Sequence, residues 1–226
     1  MNNGNTFSYD SLLCEWGIDT DYLPLLQKYA KELFLFNSSY NMVNVQTEQE
    51  IIQKHIFDSL AAVPVLRELF QSESVQSVAD VGSGGGLPGI PLAVVFPDIS
   101  FTLIERMSRR CAFLENCVLM LGLKNITVLN CEAEKAPSEA FDAAVFRAFR
   151  PLDKDMTQTL FRLIKPEGFL AAYKAKKSKI EQEMKGIEHS IGGWKCEKLR
   201  TDFLNDTEEH ERNLVVITKT NHVKGL

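Results

Sequence analysis

The sequence predicts an α/β fold with a doubly wound, mostly parallel sheet and an N-terminal helical extension. Short apolar runs recur after residue 75 without strict polar alternation, as strands buried on both faces require. Segments with helical spacing lie between these runs, and alternation of strands with helices favours a parallel sheet. Before residue 70 only helical patterns occur. These three observations together predict the fold class.

The N-terminal part is predicted to form two amphipathic helices. In residues 22–36 apolar side chains recur at helical spacing, and the polar triplet 37–39 ends this pattern. A second apolar stripe covers residues 51–63. Thr47 is a suitable N-cap for it, because Glu50 follows three residues later and completes a capping box.

Five strands, one clear helix and a final pair of strands are predicted beyond residue 70. The helix Ser108–Leu121 has an apolar face for the sheet and a charged face for solvent. Two apolar segments, 194–200 and 213–219, follow each other without an obvious helix, so we expect a hairpin-like pair joined by the polar loop 202–211. The five earlier strands are predicted at 78–81, 101–104, 126–129, 141–146 and 169–173.

Length, cysteine content and charge restrict the class of protein. With 226 residues, 45% of them hydrophobic, the chain can bury one large core rather than two. We therefore expect a main domain at 71–226 with a helical subdomain at 1–70 packed on it. Five cysteines without a Cys-x-x-Cys pair indicate reduced thiols and no metal site. The formal net charge of −5 argues against coating of nucleic acid by the whole surface and leaves a local basic face open.

The N-terminal residues lack the pattern of a signal peptide. No apolar run approaches the roughly 18 residues that a membrane span needs. We therefore expect a cytoplasmic protein without membrane contact, and nothing in the sequence implies an oligomer.

The strongest local signal is the glycine-rich segment 80–89, DVGSGGGLPG, directly after one predicted strand and before a helix. Glycines let a ligand approach bare backbone, and Pro88 suits the first turn of the following helix. A dinucleotide fingerprint that starts at Gly82 and Gly84 requires a third glycine where Leu87 stands. A nicotinamide cofactor is therefore the second choice, and the Asp-x-Gly-x-Gly-x-Gly pattern resembles the S-adenosylmethionine loop of class I methyltransferases.

Further cofactor contacts are expected where the next two strands end. Glu105 closes the second strand, where a carboxylate can accept both hydroxyl protons of a ribose, although an exposed surface carboxylate is the alternative. Met107 can lie along an adenine face or serve plain packing. The pair Ala133 and Glu134 occupies the loop after the third strand, where it can meet the adenine edge.

Several separated motifs occur between the N-terminal helices and the last predicted strand. They are Asn41 in YNMVNV, His55-x-x-Asp58-Ser59, DVGSGGGLPGIPL, Arg147-Ala148-Phe149, Lys174, and Arg212 in HERNLVVI. Together these motifs resemble those of the bacterial 16S ribosomal RNA guanine-N7 methyltransferases, also called glucose-inhibited division protein B. The resemblance covers about residues 30–219. It implies a Rossmann-like class I methyltransferase domain with packed N-terminal helices, S-adenosylmethionine as cofactor, and one guanine of 16S ribosomal RNA as target, within the 30S subunit or an assembly intermediate.

The resemblance also implies two sets of site residues. At the position of Glu132 relatives usually carry arginine, so this chain reverses a charge there. The cofactor set by matching motif comprises Gly82, Leu87, Ala133, Glu134 and Arg147, and the positions of Ser83, Gly84, Glu105 and Met107 add these four to the predicted cofactor site. The set around methyl transfer comprises Asn41, His55, Asp58, Arg147, Lys174 and Arg212.

The residues by themselves leave several interpretations open. His55 lies on an apolar helical stripe and, judged by pattern alone, is a satisfied core histidine; Asp58 can orient it or merely solvate the helix edge. Arg147 and Lys174 end predicted strands at the edge where open α/β sheets bind ligands. The lysines 176, 177 and 179 form either a phosphate-binding segment or a solvated helix start. Arginines 106, 109 and 110 fit an exposed helix face.

The predicted chemistry needs no general base. Guanine N7 has a lone pair and no proton, so the site's task is alignment and exclusion of water. We expect the glycine loop and Glu105 to fix the cofactor, and Arg147, Lys174 and Arg212 to position the nucleotide. Three alternatives stay open: methylation of a small molecule or protein, a nicotinamide-dependent oxidoreductase, and a non-catalytic RNA-binding module.

Overall fold

The computed structural model describes residues 8–40, 43–147, 151–204 and 211–219. Its helices are α1 (Tyr9–Glu15), α2 (Leu23–Tyr40), α3 (Glu48–Ile51), α4 (Asp58–Leu60), α5 (Val63–Ser72), α6 (Gly89–Val95), α7 (Ser108–Leu121), α8 (Lys154–Leu163) and α9 (Lys177–Ile187). Its strands are β1 (Ser77–Val81), β2 (Ser100–Glu105), β3 (Ile126–Asn130), β4 (Phe141–Arg147), β5 (Ile164–Lys174), β6 (Gly193–Lys198) and β7 (Asn213–Thr218).

These strands form one sheet in the order β3-β2-β1-β4-β5-β7-β6. The first five pair in parallel, and β7 runs antiparallel to both β5 and β6. The strand order reverses between β1 and β4, which places a topological switch point at their carboxyl ends. The predicted doubly wound, mostly parallel α/β fold is confirmed.

Two hydrophobic clusters cover the two faces of the sheet. Neighbouring residues of β1 point to opposite clusters, with Val78 in one and Ala79 in the other, so the strand is buried on both faces as predicted. The first cluster contains α6, α7 and the N-terminal helices, including the fully buried Leu33. The second contains α8 and α9 through Leu160 and Met184. The domain boundary at residue 70 stays a prediction.

The second predicted helix is broken by a π-helical segment. Its start is as expected, because Thr47 Oγ1 accepts the Glu50 N–H at 3.2 Å, while the Glu50 carboxylate accepts the Gln46 N–H. After α3, however, residues Ile52–Phe57 are π-helical before α4 continues. The prediction of one regular helix over 51–63 was wrong, because apolar spacing does not reveal a single wider turn. Such π-helical turns are frequent at functional sites.

The last two strands agree with the predicted pair, but β7 lies inside the sheet rather than at its edge. The predicted joining loop contains a short 3₁₀ turn, Asp202–Leu204, and its residues 205–210 lie outside the described part. Within the described residues, no helix is both long and apolar enough to cross a membrane.

Strand β5 starts earlier than predicted. Its polar stretch 165–168 has the composition of a loop, yet the strand begins at Ile164. The register with β4 shifts between Phe141 and Ala143. At Gly168 an added Cβ would lie 2.5 Å from the carbonyl oxygen of Asp142, so the close approach of the two strands requires glycine there.

Candidate functional site

The glycine-rich loop joins β1 to α6 at the switch point of the sheet. Gly82, Gly84 and Gly86 have φ angles of 71°, 58° and 91°, in the left-handed region that favours glycine. An added Cβ at Gly86 would lie 2.5 Å from the Ile90 side chain. The helix α6 begins one residue after Pro88, which serves as its N-cap rather than as part of the predicted first turn.

Asp80 braces this loop from inside the protein, a role that the sequence analysis did not assign. Its Oδ2 accepts the Ser83 hydroxyl at 2.6 Å and the Gly89 N–H at 3.0 Å. Among the described residues its buried Oδ1 has no hydrogen-bond partner. Burial raises the pKa of Asp80 to about 6, although the hydrogen bonds from Ser83 and Gly89 oppose that rise. The signal in the sequence was a carboxylate at the end of an apolar strand.

Glu105 braces the loop from the neighbouring strand. It is 4% exposed, so the alternative of a surface carboxylate is wrong. Its Oε2 accepts the Gly84 N–H at 3.0 Å, and its Oε1 accepts the Met107 N–H at 2.8 Å. A carboxylate offers about four lone pairs, which leaves acceptor capacity for a ligand hydroxyl. The Arg110 Nη1 lies 3.7 Å from Oε2.

A third brace comes from the N-terminal helices and was missed by the sequence analysis. The Tyr29 hydroxyl on α2 donates to the carbonyl oxygen of Gly85 at 2.5 Å, in a fully buried position. Burial raises the pKa of Tyr29 well above its usual range, so the hydroxyl keeps its proton. In the sequence Tyr29 is one more member of an apolar stripe, and nothing there indicates its partner.

A cavity of about 520 Å³ opens beside the loop. Four predicted cofactor residues line it, whereas the predicted Ser83 and Leu87 are themselves buried. Met107, also predicted, is 46% exposed and comes directly after Arg106, which lines the cavity. The four lining residues are Gly82, Glu105, Ala133 and Glu134; Arg106, Arg110, Glu132 and Met156 line the cavity as well.

The reversed charge at Glu132 is partly compensated by its neighbour. The Glu132 carboxylate pairs with Lys135 Nζ at 2.8 Å, and both side chains are exposed. That pair lowers the pKa of Glu132, so the carboxylate stays ionised at neutral pH. The cavity wall therefore carries a negative charge at this position.

Asp58 joins two arginines from distant parts of the chain. Its Oδ2 accepts from Arg147 Nη1 at 2.9 Å, and its Oδ1 accepts from Arg212 Nε at 2.8 Å. Arg147 Nη1 also donates to the carbonyl oxygen of His55 at 3.0 Å. Four of the residues predicted around methyl transfer thus form one cluster at the carboxyl end of β4 and the start of β7.

His55 is held neutral in this cluster. Arg147 Nη2 lies 3.5 Å from His55 Nδ1, and because a guanidinium can only donate, Nδ1 is the acceptor and Nε2 carries the proton. Burial and the Arg147 charge lower the pKa of His55 to about 4. The buried Nε2 finds no hydrogen-bond partner in the described part of the chain, whereas Nδ1 faces Arg147.

Lys174 lies at the same edge of the sheet but belongs to a different ion pair. Its Nζ pairs with Glu183 on α9 at 2.8 Å, and both side chains are about 15% exposed. The three lysines that follow it are exposed. Asn41, like residues 148 and 149 of the Arg147 motif, lies outside the described residues.

The geometry suits a nucleoside with a cationic group next to an anionic substrate. The loop and two buried carboxylates, Asp80 and Glu105, offer backbone contact and negative charge. The Asp58 cluster adds two guanidinium groups around one carboxylate, a net positive charge. His55 is too weak a base to accept a proton at neutral pH. Across the described ranges, no group of three histidine, cysteine or acidic side chains is arranged to hold a metal.

Comparison with known proteins gives consistent results. The GidB family, described as rRNA small subunit methyltransferase G, matches residues 22–215. A protein named ribosomal RNA small subunit methyltransferase G from Treponema denticola is 41% identical over 86% of this chain and 85% of its own length. The protein of that name from Salmonella agona is 37% identical over 94% and 97%.

A solved structure supports the fold. The crystal structure of tRNA (m1A58) methyltransferase TrmI from Aquifex aeolicus has a TM-score of 0.52 to this chain and 16% sequence identity. The match covers 68% of this chain and 67% of that one. At this identity the likeness concerns only the fold, which is that of class I methyltransferases.

Proposed function

The chain belongs to the rRNA small subunit methyltransferase G family, and we propose on that basis that it methylates N7 of one guanine in 16S ribosomal RNA. It is a methyltransferase, and S-adenosylmethionine is its cofactor. One structural observation supports this function. The glycine loop follows β1 and the Asp58 cluster holds the last residue of its neighbour β4, so a cofactor and an anionic substrate can be held side by side at the switch point.

The residues present fit the cofactor. The loop 82–86 offers backbone without side chains, and the Glu105 carboxylate can accept from the ribose hydroxyls. Ala133 and Glu134 line the cavity and are proposed to meet the adenine, which the exposed Met107 can cover. The buried Asp80 favours a ligand with positive charge.

The proposed reaction needs no residue that removes a proton from the nucleophile. When bound, S-adenosylmethionine supplies a methyl group on a cationic sulfur. The acceptor of that group would be the N7 lone pair of a guanine that Arg147 and Arg212 position. No proton leaves the nucleophile, which agrees with a neutral His55 whose pKa is about 4. The residues orient the reactants and exclude water.

The two arginines are proposed to position the nucleotide. Asp58 fixes the Arg147 guanidinium through Nη1, so its other nitrogens keep donor capacity. Arg212 is 28% exposed at its side chain and offers the outer contact to phosphate. Lys174, held by Glu183, is proposed as a further cation at the same edge. Asn41 stays a candidate by resemblance alone.

The substrate is proposed to present the guanine in unpaired RNA. The N7 edge of a paired guanine lies in the deep, narrow major groove of A-form RNA, where side chains cannot reach it. A 30S subunit or an assembly intermediate can expose such a base in an irregular loop. The reaction would then take place in the cytoplasm, where ribosomal subunits are assembled.

The direct test uses small subunits from cells that lack their own copy of this enzyme. They are incubated with labelled S-adenosylmethionine and the protein, and the nucleosides are identified by digestion and mass spectrometry. We expect a single new 7-methylguanosine in 16S RNA. Glu105→Gln should weaken labelling and Lys185→Gln, at an exposed position in the last turn of α9, should leave it near normal. Label in protein, in small molecules or at another base position would contradict the proposal.

A further inference from the structure

Helix α2 brings its carboxyl end to the ligand edge of the sheet. It runs antiparallel to α7, because Lys28 Nζ donates to the Met120 carbonyl oxygen near the end of α7, while the Phe36 ring stacks on Phe113 nearer its start. Helix α7 begins three residues after β2 ends at Glu105, at the carboxyl edge of the parallel strands. The last turn of α2, with Tyr40, therefore lies at the edge that carries the glycine loop.

Three aromatic rings form a column at this end of α2. Phe113 is buried and stacks on Phe36 with ring centroids 4.2 Å apart and an interplanar angle of 17°. Phe36 in turn stacks on Tyr40 at 4.3 Å and 29°. Tyr40 is nevertheless 47% exposed. Phe36 covers one face of the Tyr40 ring, and we infer from the exposure of this residue that the opposite face, at the end of the column, is accessible.

A cation lies at the same end. Arg109 is exposed and stands four residues before Phe113, on the same face of α7 and one turn nearer the ligand edge. Tyr40 stands four residues after Phe36 on α2, which is antiparallel, so it is displaced in the same direction. An accessible ring face at the same end as an exposed arginine is a combination with which proteins bind single-stranded nucleic acid.

We propose that the open face of Tyr40 stacks on an unpaired base of the RNA substrate, with Arg109 at the adjoining phosphate. This inference rests on the proposed function, since it takes RNA as the substrate. It adds a binding site on α2, outside the cofactor cavity and the Asp58 cluster. Since any base has an aromatic face, the contact holds the strand without reading its sequence.

The test separates ring stacking from other roles of the side chain. Tyr40→Phe keeps the ring and loses the hydroxyl, whereas Tyr40→Leu loses the ring. Trp194→Leu is the matched control, because Trp194 is 38% exposed on the edge strand β6. The readouts are KM for undermethylated small subunits, Kd for S-adenosylmethionine, and the melting temperature.

We expect Tyr40→Leu to raise KM for RNA about 5- to 150-fold, the range for loss of one stacked base, with kcat and the cofactor Kd unchanged. The KM for RNA of Tyr40→Phe and of Trp194→Leu should stay within about twofold of the wild-type value. Arg109→Gln should lower the slope of RNA affinity against salt concentration by the equivalent of roughly one phosphate contact. Should Tyr40→Leu lower the melting temperature, Tyr40→Met gives a second variant without a ring.

Three results would overturn the inference. They are a wild-type KM for RNA in Tyr40→Leu, an equal rise of that KM in Tyr40→Phe and Tyr40→Leu, and a loss of cofactor affinity in place of RNA affinity. Failure of the proposed function is a separate outcome, because RNA binding measured without cofactor reports on Tyr40 even if the wild type forms no 7-methylguanosine.

Discussion

Asp58 and Arg147 are joined by an ion pair of 2.9 Å although 89 positions separate them in the sequence. Asp58 stands where the π-helical segment ends, and Arg147 ends a central strand of the sheet. The same carboxylate holds Arg212 through its other oxygen at 2.8 Å. One side chain from the N-terminal helices thus fixes two cations of the main domain at the ligand edge.

Removal of the Asp58 charge should therefore destabilise the protein as well as impair its activity. In Asp58→Asn two neighbouring guanidinium groups lose their counter-charge. We expect a loss of roughly 2–4 kcal/mol in the free energy of unfolding, somewhat below the fully buried range because Arg212 is partly exposed. Urea denaturation measures it. Glu50→Gln, which breaks the more exposed pair with Lys54, should cost much less stability than Asp58→Asn, because solvent screens that pair; equal losses in the two variants would contradict this prediction.

The hydroxyl of Tyr29 should matter for cofactor affinity. Tyr29→Phe keeps the buried ring but removes the hydrogen bond to Gly85, so the loop loses one of its three braces. We expect Kd for S-adenosylmethionine to rise about 2- to 10-fold, the value of one buried hydrogen bond. Isothermal titration calorimetry measures this affinity directly.

Tyr173→Phe is the matched control for that experiment. Tyr173 is also a buried tyrosine whose hydroxyl donates to a backbone carbonyl, that of Ser59 at 2.9 Å, but it does not touch the glycine loop. The two variants should lose similar stability, and only Tyr29→Phe should lose cofactor affinity. If both weaken the cofactor equally, the effect is general destabilisation and Tyr29 has no special role.

The sequence was sufficient for the sheet and for the edge that carries the site. Strands buried on both faces appear in the sequence as short continuous apolar runs, and the glycine-rich segment stands directly after one such run and before a helix. Arg147 and Arg212 were found through family resemblance, and the structure brings both onto Asp58. These features depend on local pattern or on motif order, which a sequence displays.

The missed features depend on partners far away in the chain. Nothing near Tyr29 indicates that its hydroxyl meets Gly85, because 56 positions separate the two residues. The π-helical segment adds a wider turn that leaves the apolar pattern almost unchanged. Lys174 was grouped with the other cations of the site, but its pairing with Glu183 on α9 follows only from the packing of that helix on the sheet.

Asp80 should make the stability of the protein depend on pH in a defined window. Burial raises its pKa in the folded state from 3.8 to about 6, so the folded protein binds the proton more tightly than the unfolded chain does. The corresponding stability is fully present below pH 3.8 and is lost as the pH rises through about 6. The shift is equivalent to about 3 kcal/mol at most.

Asp80→Asn tests this linkage. The amide oxygen of the variant can still accept from Ser83 and Gly89, but no charge is buried above pH 6. Unfolding measured at several pH values should show the variant gaining stability relative to the wild type between about pH 4 and pH 7. Its affinity for the cationic cofactor should fall. A stability difference that does not change with pH would rule out the buried charge as the cause.

His55 should not appear as a titrating group in the rate of methyl transfer. Burial and Arg147 lower its folded pKa from 6.5 to about 4, so the imidazole is neutral throughout the physiological range. The sign for stability is opposite to that of Asp80, because between pH 4 and 6.5 the unfolded chain binds more protons at this residue. His55 therefore contributes stability that is complete above pH 6.5 and is lost as the pH falls towards 4.

Measurement of kcat from pH 5.5 to 8.5 with saturating cofactor and RNA separates alignment from base catalysis. Guanine N7 gives up no proton, so we expect the pH profile of His55→Gln to keep the shape of the wild-type profile, at a rate lowered about 10-fold or less because the donor geometry changes. Cofactor Kd serves as the control for folding of the variant. A limb near pH 6.5 that disappears in His55→Gln, with both binding constants unchanged, would mean that the imidazole accepts a proton during turnover and that the acceptor atom carries one.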